Sequence, residues 1–149
     1  DSNGYRLLLP EGTLDYFDLV NVQEGSNEIV IYLKEKVVPK QYAGQESESK
    51  GFCEPVVIQD FPIRGKKVFL NVRRRRWILK KSNEYIKRNW RLVAEGTRMT
   101  QDFASFLKDY IDRLPISCKL LGELYGVDGE LLERQYRNNL SGYLRWDQL

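Results

Sequence analysis

The chain has no histidine, two cysteines and one methionine among its 149 residues. Without imidazole there is no Ser-His-Asp or Cys-His relay, and the commonest general base is missing. Cys53 and Cys118 stand 65 positions apart. Two thiols and no histidine cannot supply the four ligands of an ordinary structural zinc site, and no disulfide framework is expected. Apolar runs are also short. None approaches the roughly 20 residues that cross a bilayer, and the first residues, DSNGYRLLLPEG, lack the basic start and apolar stretch of a signal peptide. A cytosolic protein with no metal, no cofactor and no membrane partner is therefore expected. Its composition, 42% hydrophobic and 30% charged, is that of a folded chain.

Charge is present, but unevenly. The net value is only +3, yet residues 64–98 hold 13 Lys or Arg against two acids, Glu84 and Glu95. The rest of the chain holds 11 basic and 19 acidic residues, and residues 1–50 alone have 5 and 9. A basic face on an acidic body is the footprint of a polyanion-binding protein, because each cation set on a phosphate releases condensed counterions. The plainer alternative is a solvated, highly charged hairpin. Four consecutive arginines, Arg73 to Arg76, repel one another, and an anionic partner would relieve that repulsion.

Periodicity suggests an α+β protein, a twisted antiparallel sheet of hairpins followed by a three-helix bundle. Tyr5–Leu9 reads as a short helical or turn segment, and Thr13 as a cap for one further turn. Phe17–Val22 and Glu28–Lys34 form a predicted hairpin around Gly25-Ser26-Asn27, with Ile29, Ile31 and Leu33 opposite Val30, Tyr32 and Lys34. Residues Val37–Gly51 lose periodicity and read as a polar linker. Pro55–Ile63 is the next predicted strand, Arg64-Gly65-Lys66 a tight turn, and Lys67–Trp77 one long strand. After a turn at Lys80-Lys81-Ser82-Asn83, Tyr85–Val93 returns antiparallel. Trp77, Tyr85 and Trp90 lie among the charges, either as a small aromatic core or as stacking platforms. From Thr100 the period becomes helical, with Thr100, Ser117 and Asp128 capping Gln101–Arg113, Cys118–Tyr125 and Gly129–Leu140. Three parts are expected: an acidic β lobe (1–50), a basic hairpin (51–98) and a helical end (99–149).

Two constellations carry chemistry. Gly122 at a helix crossing, Gly126-Val127 in a turn, and Leu121, Tyr125 and Leu132 in a core fit a helix-turn-helix. An ordinary helical hairpin fits as well, and acids near the start of the second helix suit phosphate poorly. Asp60, Asp102, Asp109 and Asp112 are the carboxylates to consider for a Mg²⁺ nuclease, though no Asp-bearing strand leads into a ribonuclease-H-like pattern. Both cysteines read as apolar packing residues.

The runs VVIQDFPIRGKKVFLNVRRRRW and GTRMTQDFASFLKDYIDRLPISCKLLGELYGVDGELLERQYRNNL resemble the N-terminal region of ISL-type bacterial insertion-sequence transposases, in the branch whose N-terminal region can be encoded separately. The likeness rests on Asp60, Pro62, Ile63, Gly65 and Arg73 to Arg76, then on Leu120 to Arg137. It covers roughly residues 55–149, and the N-terminal 35 residues also resemble this branch. Family members carry a zinc ribbon whose second CxxC follows the arginine strand. Trp77-Ile78-Leu79-Lys80 stands there instead, with Cys53 a remnant of the first knuckle, so the resemblance implies a degenerate, metal-free ribbon followed by a three-helix helix-turn-helix bundle. It also implies binding to duplex DNA at transposon terminal repeats, beside a catalytic domain or subunit that lies outside this chain, with a homodimer as a further partner. Arg64, Lys66, Lys67, Arg73, Arg74, Arg75, Arg76, Lys80, Arg88, Arg91 and Arg98 would hold phosphates, and Arg134, Arg137 and Asn138 would read bases. The rival readings are an RNA-binding or regulatory protein, a small Mg²⁺ nuclease, and an assembly factor without DNA affinity.

Overall fold

A computed structural model describes residues 2–37, 41–42, 45–86, 92–93 and 97–140. A 3-10 segment (Ser2–Leu8) and one helical turn, α1 (Thr13–Tyr16), lead into strands β1 (Phe17–Glu24) and β2 (Glu28–Glu35). Then come β3 (Gln41–Tyr42), β4 (Gln45–Phe52), β5 (Val56–Ile63), β6 (Lys66–Arg73), β7 (Arg75–Leu79) and β8 (Tyr85–Ile86). Helices α2 (Gln101–Arg113), α3 (Cys118–Tyr125) and α4 (Gly129–Gln135) follow, and α4 runs into a wider turn at Tyr136–Leu140. Among the described residues the fold is mixed α+β with two four-stranded sheets, ordered β1-β2-β6-β5 and β3-β4-β7-β8.

The first sheet buries one face. Phe17, Ile29, Ile31, Leu33, Ile58, Val68, Leu70 and Val72 alternate inward, with Tyr5, Leu9, Tyr16 and Leu92 packed over them. The opposite face carries half-buried Val30, Tyr32 and Lys34 on β2 and Phe69 and Asn71 on β6, with Arg73 exposed at its end. The β1–β2 hairpin is antiparallel around residues 25–27, as its turn residues require. An all-antiparallel sheet was expected, but β2 and β6 run parallel. The 30 residues between them, including β4 and β5, provide the long connection that a parallel pair needs.

Three local expectations are corrected. The supposed loop at 37–51 contains β4, which pairs with β7 through Ser47↔Leu79 and Ser49↔Trp77. Its face toward the large β7 side chains is made of serines, so its alternation never shows as hydrophobicity. The single long strand 67–77 is two strands in different sheets, broken at Arg74, where the Cys53 amide donates to the Arg74 carbonyl at 2.8 Å. Thr13 does not cap α1. Gly12 does, at φ 85, and the Thr13 hydroxyl donates instead to the Pro10 carbonyl at 2.7 Å.

The helical end follows its capping residues. Thr100, Ser117 and Asp128 each accept from the amide three positions on. Gly126 ends α3 in the left-handed region at φ 74, where a side chain would be strained. Phe61 on β5 meets Phe103 and Phe106 at ring-centroid distances of 5.0 and 5.2 Å, and Phe106 meets Tyr125 at 5.1 Å, so the helices are tied to the sheet through rings. Thr100 adds a polar tie, donating to the Asp60 carboxylate at 2.8 Å. No helix among the described residues is long and apolar enough to cross a membrane.

Candidate nucleic-acid interface

The cations singled out in the sequence fall into three groups. The first is the β5–β6 turn. Arg64 has φ 49 and Gly65 φ 79, so both central residues lie in the left-handed region, the geometry of a tight hairpin turn. Asparagine or glycine is the usual occupant at the first position. An arginine there is strained by roughly 1–2 kcal/mol, and its side chain is exposed at the tip. Lys66 follows it. Lys67 lies exposed at the base of the outer sheet face, its amide bonded to the Asn27 carbonyl at 3.0 Å. The turn between α3 and α4 sits beside it, since a Cβ on Gly126 would come within 3.0 Å of Lys67 Cγ. Gln59 Nε2 also donates to the Gly126 carbonyl at 2.8 Å.

The second group is the passage from β6 to β7. Here Glu35, 1% exposed, is the organising residue. Its carboxylate accepts from the Arg75 amide at 2.9 Å and from Trp77 Nε1 at 2.7 Å. Its own carbonyl accepts from Arg75 Nε at 2.8 Å, and Ser49 Oγ accepts from the Arg75 guanidinium at 3.0 Å. Trp77 is fully buried, so of the two readings of this ring the core reading holds. Phe52 is the second organiser. Arg73, Arg75 and Lys34 stand 4.4, 4.5 and 5.2 Å from its ring centre. Arg76 lies 5.5 Å from the Tyr85 ring, which is 60% exposed. Arg74 is half-buried, and its Nε finds no hydrogen-bond partner among the described residues.

The third group is on and around the helices. Arg134 and Asn138 are exposed, whereas Arg137 is held by Glu133 at 3.0 Å, one turn earlier on the same helix. Gly122 lies at the α3–α4 crossing: a Cβ there would stand 2.3 Å from the Val127 carbonyl. Leu121, Val127 and Leu132 are buried between the helices. Arg98 is exposed beside β5, and its carbonyl accepts from the Gln59 amide at 2.7 Å. Lys80 pairs with Glu46 at 3.5 Å. Arg88, Arg91 and Trp90 lie outside the described residues.

The acids divide differently. Asp60 is buried, and desolvation raises its pKa above the usual carboxylate value, opposed by the Thr100 hydroxyl and the Phe61 amide. Asp112 is lowered, held by Lys108 at 2.6 Å and by the Tyr136 hydroxyl. Among the described residues no three Asp, Glu, Cys or His side chains gather where a metal ion could be held. Cys118 packs against the helical core, and burial pushes its thiol pKa up.

Phe52 and Lys34 on this surface, and Glu35 buried beneath it, are the residues that sequence reasoning did not mark. Phe52 sits beside a glycine at a strand end and Glu35 ends an apolar strand, so neither carries a local signal of its partners. No family model, curated protein or solved structure matches the chain.

Proposed function

We propose that this chain binds duplex DNA without catalysing a reaction on it, as the end-recognition region of an insertion-sequence transposase does. One observation carries the reading. Of the expected contact residues that are described, only Lys80 and Arg137 are in ion pairs with described carboxylates. Arg64, Lys66, Lys67, Arg73, Arg74, Arg75, Arg76, Arg98 and Arg134 are not, although the chain carries 21 acids. Leaving so many like charges unneutralised raises the energy of the free protein, and phosphate contacts lower it.

The spacing of the groups suits a duplex. Seven strand steps separate the Arg64–Lys66 turn from Arg73, about 23 Å at 3.3 Å per residue, which fits within one DNA turn of about 34 Å. Both groups can therefore rest on one duplex as phosphate clamps. In this reading α3, its turn and α4 are a helix-turn-helix, with the tight Gly122 crossing as its support. Arg134 and Asn138 read base edges, and Arg137 is steadied by Glu133. The second sheet takes the part of a metal-free ribbon, with the buried Trp77 and its Glu35 bond where the family has zinc.

The experiment is competition between blunt duplex DNA carrying the terminal repeats and single-stranded RNA of equal length. Preferential binding of the duplex is expected. Preference for the RNA, or no binding to either at low salt, would overturn the reading.

A further inference from the structure

The outer face of the first sheet holds a shallow groove that shares Arg73 with the phosphate clamps and is otherwise lined by residues they do not use. Its lining includes Val20, Asn21, Tyr32, Lys34, Asn71 and Arg73. Asn21, Tyr32 and Asn71 form one row across β1, β2 and β6, as successive register partners. Lys34 and Arg73 form the next row but one, directly opposite each other. The Tyr32 hydroxyl donates to Gln23 Oε1 at 2.9 Å, which fixes the ring before any ligand arrives. Two side-chain amides flank that ring, each offering a donor and an acceptor. Like charges directly opposed in a sheet are unfavourable. These two are drawn over the same Phe52 ring, with Arg75 as a third cation. The nearest acid across the sheet from Lys34 is Asp18, its register partner, which Lys36 engages at 3.9 Å.

We propose that this groove takes one unpaired nucleotide of a DNA strand, its base on Tyr32 between the two asparagines and its phosphate between Lys34 and Arg73. Tyr32 and Lys34 are two positions apart on one strand face, about 6.6 Å, the scale that separates a base from its phosphate. The groove encloses about 470 Å³, room for a single nucleotide rather than a helix. A base within a duplex presents no free face to a tyrosine ring, whereas an unpaired one does. The cations choose an anion, and the ring and amides choose a base. The inference rests on the duplex-binding reading and adds to it a preference for DNA whose end is opened or frayed.

The test compares one duplex with blunt ends and the same duplex with a short unpaired extension, using fluorescence anisotropy at fixed salt. The wild-type protein is expected to bind the extended DNA about tenfold more tightly, the effect of one stacked base. Tyr32→Leu should abolish that difference and leave blunt-duplex affinity unchanged, while Tyr32→Phe, which keeps the ring, should retain most of it. Photocrosslinking of wild-type protein to 5-iodouracil in the extension gives a readout that needs no variant, with the adduct expected on the peptide holding Tyr32. Equal affinity of the wild type for the two DNAs would overturn the proposal, as would an adduct on another peptide. Absence of binding to the blunt duplex would instead overturn the parent reading.

Discussion

The arginines at the β6–β7 passage and those on α4 show two ways of carrying the same charge. The guanidiniums of Arg73 and Arg75 rest on neutral groups, the Phe52 ring, a carbonyl and a hydroxyl, while the Glu35 carboxylate takes only the Arg75 backbone amide. Arg137 is positioned by an acid four residues earlier, which also cancels it. The first arrangement holds guanidiniums in place without spending their charge, and the second does not. Basic residues in a sequence therefore differ in how much field they present. That difference is why the sheet passage, rather than the helix, presents more uncancelled positive charge.

Breaking the buried support should have the largest effect. Glu35→Ala leaves the Trp77 indole N–H and the Arg75 amide without their acceptor. Unfolding by denaturant is expected to show a loss of about 3–5 kcal/mol. A loss below 1 kcal/mol would mean that Glu35 does not organise the passage. On the helical side, Gly122→Ala forces a Cβ against the Val127 carbonyl, so overpacking of about 1–3 kcal/mol is expected in thermal unfolding. The two substitutions together separate the supports of the two regions, and their effects should add, since they share no partner.

Smaller effects sharpen the comparison. Arg64→Asn replaces a strained residue by one that tolerates the left-handed region, so a gain in stability of about 1 kcal/mol is expected, with weaker duplex binding. A residue kept for its contact rather than for the fold behaves this way. Asp60→Asn tests pH. Burial raises the pKa of Asp60 in the folded state, so the folded protein holds this proton more readily than the unfolded chain. Its contribution thus favours folding at low pH and fades as pH rises from the unfolded value of 3.8 through the higher folded one. Asn accepts the same Thr100 bond without a charge to bury, and denaturation measured across pH should lose that downward step.

Much of the fold could be read in advance because its signals are local. The three helix caps, the residue 25–27 turn and the inward alternation on β2 are each decided by a few neighbouring side chains. The passage at Arg74 was less visible, although the phase of alternation does change there. Val68, Leu70 and Val72 are buried at even positions, then Trp77 and Leu79 at odd ones. A one-residue change of phase turns a strand over, and a run of arginines hides it. β4 was invisible because serines opposite Trp77 and Leu79 do the work of small packing residues. The candidate surface was half visible: the cations were plain, but Phe52, Lys34 and Glu35 reach them only through pairings distant in sequence, which local periodicity cannot show.

The central claim is that the passage offers its charge to phosphate and α4 offers much less. Affinity for one duplex should be measured between 50 and 200 mM salt for the wild type, Arg73→Gln and Arg137→Gln, a range over which about six phosphate contacts cost roughly a thousandfold in affinity. The wild type should show that steep fall. Arg73→Gln should flatten the log–log slope by about 0.9, with Arg137→Gln changing it less than half as much. A slope indifferent to Arg73, or equally sensitive to both residues, would contradict the account.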